Sequence, residues 1–300
     1  MNKTSNEWLS VQFTLLREQA AAAEDLLWQL GAVSVTLIDA ADQPIHEPGP
    51  GETPLWSALT IDALFDGTAD PEPLQLRLLA SGLIAKSEDI QLSSLDDQDW
   101  ARAWMDRFEP MQFGDGLWIC PSHLVPDPAW PTVIRLDPGL AFGSGTHPTT
   151  SLCLEWLSEQ DLTGTSVIDY GSGSGVLAIA AALKGAESIL AIDHDPQALE
   201  ATLDNARRND VADRIRVALP KDVASGPVDI VLANILAGPL IELAPELTGL
   251  LRPGGSLILS GILAEQAESV ALAYRAQLGF EAKEICQEWV RLVFAADTGQ

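Results

Sequence analysis

The sequence predicts a two-domain α/β protein, in which a large domain on a mostly parallel sheet follows a smaller α+β domain. Three observations point there. The 300-residue chain exceeds what one hydrophobic core usually serves and fits about two domains of roughly 100 to 200 residues. From His147 onward, short β-rich runs alternate with helical patterns, the order that covers both faces of a parallel sheet. The first 95 residues run strand, helix, strand, strand, helix, strand instead.

Leu9, Val11, Phe13 and Leu15 alternate with mostly polar neighbours, so a half-buried strand opens the chain. REQAAAAEDLLWQLG is rich in helix formers and ends at Gly31, a C-terminal cap, before the β-branched run AVSVTLID. The Pro/Gly-rich stretch QPIHEPGPGETP reads as a loop. LWSALTIDALF then reads as a strand, PEPLQLRLLASG as a helix and EDIQLSSL as a weaker strand. This order suggests a ferredoxin-like sandwich over residues 1–95.

Residues 96–146 read as a connector of one helix and short strands. The helix candidate DDQDWARAWMDRF places Trp100, Trp104 and Phe108 at helical spacing, a packing stripe. LWICPSH and TVIRLDPG supply the strands.

Residues 147–300 form the second domain. Its order is helix PTTSLCLEWLSEQ, strand TSVIDYG, helix GVLAIAAALKG, strand SILAIDHD and helix PQALEATLDNARRND, then strands RIRVALP and VDIVLANI. Helix GPLIELAPELTGLL, strand GSLILSGIL, helix AEQAESVALAYRAQLG and the strand candidates EAKEICQ and WVRLVFAA complete it. Ligands of such sheets sit outside the strands' carboxyl ends.

The net charge of −26 disfavours direct binding to nucleic acid, whose phosphates need Lys and Arg. Residues 1–100 hold 17 Asp/Glu against four Lys/Arg (Lys3, Arg17, Arg77, Lys86), a surface that suits a basic protein partner or serves solubility. Cys120, Cys153 and Cys286 form no C-x-x-C and read as reduced packing thiols of a cytoplasmic protein. The opening MNKTSNEWLSVQF lacks a signal core, and no apolar run is long enough to span a membrane. No H-x-x-x-H or Cys/His cluster calls for a metal.

The chemistry concentrates in four segments. VIDYGSGSGVLAI puts Gly171, Gly173 and Gly175 between a strand and a helix, where a missing Cβ permits positive φ and close approach of a ligand. AIDHDP places Asp193 at the next strand end, where a carboxylate can accept bonds from both ribose hydroxyls. The turn alone fits a structural loop as well as a nucleotide site. Its third glycine comes one position early for the dinucleotide G-x-G-x-x-G, which weakens NAD.

VDIVLANILAGPL ends a strand at Asn234, whose amide can hold a nucleophilic nitrogen or cap a helix. LDPGLAFGSGTHPTTSLCLEW brings Gly143, Gly145, His147, Thr149 and Thr150 before an apolar helix; Thr149 or Thr150 can cap it, and His147 reads as structural rather than catalytic. His46 and His123 lie in no partner pattern, and His194 borders Asp193.

Taken together, LDPGLAFGSGTHPTT, VIDYGSGSGVLAI, AIDHDPQA and ANILAGPL resemble the ribosomal protein L-eleven methyltransferase family, the PrmA type, over nearly the whole chain. The resemblance implies a class I, Rossmann-like methyltransferase fold with S-adenosylmethionine as methyl donor. It assigns cofactor contacts to Thr150, Gly171, Asp193 and Asn234; Gly173 of the same loop joins the candidate cofactor-binding residues, and Asn234, able to hold the amine, is the candidate catalytic residue. Ser144, Ser172 and His194 depart from the family's usual Thr, Cys and aliphatic residue.

The implied activity is methylation of lysine ε-amino and N-terminal α-amino groups on the large-subunit ribosomal protein L-eleven, gripped by the N-terminal domain of a cytoplasmic monomer. Asn-Ile-Leu differs from the N-P-P-[YF] of glutamine and adenine amino-methylating families. The alternative within the class is another protein or a small amine as acceptor.

Overall fold

The computed structural model describes residues 7–41, 43, 54–96, 108–137, 143, 145–223 and 226–298. The helix candidate over Trp100 and Trp104, His46 with most of its loop, and Ser144 lie outside them. The chain divides into two compact units, Met1–Ala103 and Trp104–Gln300.

The first unit follows the expected order: β1 (Glu7–Leu16), α1 (Ala20–Gln29), β2 (Ser34–Asp39), β3 (Ala58–Asp66), α2 (Pro71–Ala80) and β4 (Gln91–Asp96). Its strands pair antiparallel in the order β2-β3-β1-β4. Val11, Phe13, Leu15, Leu59, Ile61 and Phe65 alternate onto one face and share a core with Ala23, Leu27, Leu74 and Leu78 of the helices. Gly31, at φ 92°, follows the end of α1 as the sequence anticipates, because a left-handed residue there releases the chain from the helix.

In the second unit β5 (Met111–Phe113), β6 (Leu117–Cys120) and β7 (Thr132–Arg135) form a small sheet of their own. Phe113, Leu117, Ile119 and Ile134 pack into one core with Leu154, Leu157 and the helix 176–183, and Phe108 of the expected stripe joins them. Next come α3 (Pro148–Ser158), β8 (Ser166–Tyr170), α4 (Val176–Leu183), β9 (Ser188–Ile192), α5 (Pro196–Arg208), β10 (Ile215–Ala218) and β11 (Val228–Asn234). The chain closes with α6 (Ala237–Glu242), α7 (Ala244–Gly249), β12 (Leu251–Leu263), α8 (Ala267–Tyr274), β13 (Leu278–Cys286) and β14 (Trp289–Ala296).

The seven-stranded sheet runs β10-β9-β8-β11-β12-β14-β13. Its first five strands are parallel, and β14 and β13 close it antiparallel. Chain direction across the sheet reverses between β8 and β11, so a crevice opens at their carboxyl ends.

Where the sequence suggests one helix over GPLIELAPELTGLL, there are two short ones meeting at Leu243 (φ −82°, ψ 0°). Pro245 explains the break, since it has no N–H for the bond back to Ile241 and disfavours helical geometry at the residue before it. Three other helices begin with a polar cap followed by proline: Asp70-Pro71, His147-Pro148 and Asp195-Pro196. Among the described residues no helix is long and apolar enough to cross a membrane.

Candidate functional site

A cavity of about 550 Å³ lies along the carboxyl ends of the sheet. Reading across the strands, its wall takes Pro220 beyond β10, Asp193 and His194 beyond β9, and Tyr170 and Gly171 at the end of β8. Asn234, Ile235 and Leu236 follow from β11, then Gly261 from β12 and Trp289 from β14. His147 and Thr149 enter from the start of α3, and Pro239 and Leu243 cover one side.

The glycine turn is held from inside. Gly171, Gly173 and Gly175 all sit at positive φ, 84°, 54° and 78°. A Cβ on Gly171 would lie 2.3 Å from Ile235 Cγ2, and one on Gly175 would lie 2.7 Å from Thr202 Cγ2, so glycine is required at both by conformation and by space. Thr202 and Asn205 of α5 donate to the carbonyls of Gly173 and Ser174 at 3.1 and 2.9 Å.

Most of the turn's amides donate within the protein. Gly171 and Ser172 donate to the Ile192 carbonyl, Gly175 to that of Ser172, and Val176 to the Ser174 hydroxyl. Gly173 donates to Asp193 Oδ2 at 2.9 Å, and Ala178, in the first turn of α4, donates to Asp169 Oδ2 at 3.0 Å. A helix N-terminus after a glycine loop is the usual seat of a phosphate. Here the carboxylate of Asp169 takes that seat, so the arrangement suits a nucleoside without a pyrophosphate.

Asp169 is buried, and its Oδ1 has no partner among the described residues. Burial raises its pKa to about 7 against the opposing pull of the Ala178 amide, with the nearby Asp193 adding to the rise. Asp193 is held at both oxygens, by Gly173 at Oδ2 and by the Asp195 amide at Oδ1 (3.0 Å). A carboxylate keeps further lone pairs, so it can still accept from a ligand. The His194 ring lies 3.4 Å from Asp193 Oδ1 and its side chain is almost fully exposed.

Asn234 ends β11, and its Nδ2 donates to Thr150 Oγ1 at 3.3 Å. Its Oδ1 is buried with no partner among the described residues, and Asn234 itself lines the cavity. The helix-cap reading of Asn234 does not hold, because Leu236 occupies the N-cap of α6. His147 caps α3 instead, accepting from the Thr149 amide at 3.3 Å. Its ring stands edge-on to Trp289, centroids 4.9 Å apart, and burial lowers its pKa while Glu288 pulls it up. The buried Cys153 thiol is pushed up to about 12, chiefly by desolvation, which fits a packing role.

Of the five residues singled out from sequence, Gly171, Asp193 and Asn234 line the cavity. Thr150 and Gly173 stand one hydrogen bond behind it, each orienting a residue that does. Tyr170, Ile235, Pro239, Leu243, Gly261 and Trp289 escaped sequence reading. Gly261 carried a legible signal: a lone glycine inside the strand run GSLILSGIL marks a bulge or a close backbone approach. It sits at φ 83° where the β12 register shifts, and a Cβ there would lie 2.2 Å from the Ile235 carbonyl oxygen.

Among the described residues no three His, Cys, Asp or Glu side chains group to hold a metal ion.

Comparison with known proteins extends beyond the site. The family model described as Ribosomal protein L11 methyltransferase (PrmA) matches residues 7–297. The ribosomal protein L11 methyltransferases of Pseudomonas putida (strain GB-1) and Pseudomonas aeruginosa (strain LESB58) are each 53% identical over 95% of this chain, covering 98% and 97% of their own lengths. The crystal structure of the ribosomal protein L11 methylase from Lactobacillus delbrueckii subsp. bulgaricus is 33% identical, with a TM-score of 0.58, and covers 63% of this chain and all of its own. A model that spans both units, relatives matched nearly end to end and the shared fold together establish that this chain belongs to the ribosomal protein L11 methyltransferase (PrmA) family.

Proposed function

We propose that this chain methylates ribosomal protein L11, taking methyl groups from S-adenosylmethionine and placing them on lysine ε-amino groups and the N-terminal α-amino group. The observation that carries the choice of donor is a carboxylate at the phosphate seat: Asp169 accepts from the Ala178 amide in the first turn of α4, while Asp193 lies at the end of the next strand, where a ribose would sit. An adenosyl group without phosphates meets both conditions, and a dinucleotide does not. The unpartnered Asn234 Oδ1 gives the same cavity an acceptor for an amine.

When bound, S-adenosylmethionine supplies an electrophilic methyl on a sulfonium. Gly171 lets the backbone approach the donor closely, Asp193 accepts from its ribose, and Gly173 and Thr150 hold Asp193 and Asn234 in place. Asn234 orients the incoming amine, which must be neutral to attack although a free lysine has a pKa near about 10.4. A cavity walled by Ile235, Leu236, Pro239, Leu243 and Trp289 favours that neutral form by desolvation. The released proton passes to water, so no strong base is required at the site.

The acidic unit formed by the first hundred residues is the part that grips the basic substrate. A monomer in the cytoplasm, free of metal and of direct nucleic-acid contact, suits a ribosomal protein as acceptor. The test is incubation with labelled S-adenosylmethionine and ribosomal proteins from a methylation-deficient strain. Label on L11 is expected; label on another protein alone, or on none, would overturn the substrate assignment.

A further inference from the structure

A charged side chain is buried in β14, the strand that gives Trp289 to the cavity wall, and no carboxylate among the described residues forms an ion pair with it. Arg291 of β14 is 7% exposed. Its Nη1 donates to the Leu152 carbonyl of α3 at 2.7 Å, and its Nε has no partner among the described residues. Burying a guanidinium is unfavourable unless its bonds do something an aliphatic side chain cannot. This one reaches across 139 residues of chain to a helix backbone.

Two further ties bind the same helix to the same strands. The buried Ser260 of β12 donates to the Thr149 carbonyl at 3.1 Å, and Trp289, on the same side of β14 as Arg291, meets the His147 ring at the cap of α3. All three act on the first turns of α3, which carry Thr149 on the cavity wall and Thr150 against Asn234. In this bond Asn234 Nδ2 donates to the Thr150 hydroxyl, and Oδ1 is left without a partner among the described residues.

We propose that Arg291 is a positioning residue: it sets α3 against β12 and β14, and through Thr150 it fixes the orientation of the Asn234 amide. The inference rests on the proposed methyl-transfer site. Its effect on Asn234 passes through the Thr150 hydroxyl, which separates Arg291 from an ordinary core residue.

A double-mutant cycle on the full chain reads that dependence, using kcat for methyl transfer to L11, with S-adenosylmethionine binding followed by calorimetry. Arg291→Met is expected to fold and to lower kcat about tenfold, the scale of one charge-assisted hydrogen bond. KM for L11 and the affinity for S-adenosylmethionine should change little, since Asn234 acts on the amine and the substrate is gripped elsewhere. In a Thr150→Val background the same substitution should add nothing. If Arg291→Met does not fold, Arg291→Gln takes its place with the same expectations. Wild-type kcat in the folded single variant, or an undiminished loss in the Thr150→Val background, would overturn the proposal alone. A wild-type protein that binds no S-adenosylmethionine would overturn the proposed function and this inference with it.

Discussion

The two ends of the cavity are built by different means. At the glycine-turn end, shape comes from backbone: Gly171 and Gly175 take left-handed φ, spent amides close the loop on itself, and Asp193 is fixed by a main-chain N–H. At the β12–β14 end, shape comes from side chains, with Trp289 against His147 and a buried Arg291 holding α3. Backbone constraints dictate residue type, so few residues satisfy them. A wall that needs only bulk can be made many ways.

Gly261 belongs to the second end but obeys the first rule, and it offers the sharpest way to break the contrast. Gly261→Ala combines a left-handed φ with a clash against the Ile235 carbonyl, which cannot swing aside as a side chain would. We expect a loss of about 3 kcal/mol or more in urea unfolding. A loss under about 1 kcal/mol would show that backbone does not govern this end.

Asp193→Ala attacks the other end, removing the carboxylate that accepts from the Gly173 and Asp195 amides. Affinity for S-adenosylmethionine should fall by about 1 to 3 kcal/mol while the melting transition stays cooperative. Unchanged affinity in calorimetry would remove Asp193 from the ribose position.

Asp169→Asn sharpens the comparison through pH. With a folded pKa near 7 and an ordinary value of 3.8, Asp169 stabilises most fully below about pH 4, and that contribution is lost as pH rises through 7. His147 works oppositely, because its lowered pKa gives stability above about 6.5 that is lost as pH falls. Subtracting the Asp169→Asn stability curve from that of the wild type isolates the first term. The difference should shift against the wild type between about pH 4 and 7, by up to about 1.4 kcal/mol per pH unit, and then level off. Parallel curves would mean that Asp169 does not titrate there.

The smallest effect is expected at Tyr170, whose hydroxyl donates to Glu246 Oε1 at 3.2 Å beside the cavity. Tyr170→Phe should cost about 1 kcal/mol or less in stability and leave methyl transfer intact.

The same contrast explains what could be read from the chain. The strand-helix alternation, the ferredoxin-like order and the glycine turn were legible, since periodicity and glycine placement report backbone geometry directly. Asn234 and Asp193 were legible as polar residues closing hydrophobic strands. That Thr150 and Gly173 act from behind the wall was not, because a hydrogen bond over 84 residues, such as Thr150 to Asn234, leaves no local pattern. Trp289 and Arg291 lie in an ordinary strand run, where an aromatic and an alternating charge read as packing and solvent contact. The break in GPLIELAPELTGLL was in plain view as Pro245, outweighed by the apolar spacing on either side of it.

The most direct measurement is the intact mass of purified L11 after incubation with S-adenosylmethionine and either the wild-type chain or Asn234→Ala. The wild type is expected to raise the mass in whole methyl increments, and the variant to leave L11 nearly unmodified while still folding. An L11 mass unchanged by the wild type, or methylated equally by both proteins, would contradict the assignment of this cavity as the methyl-transfer site.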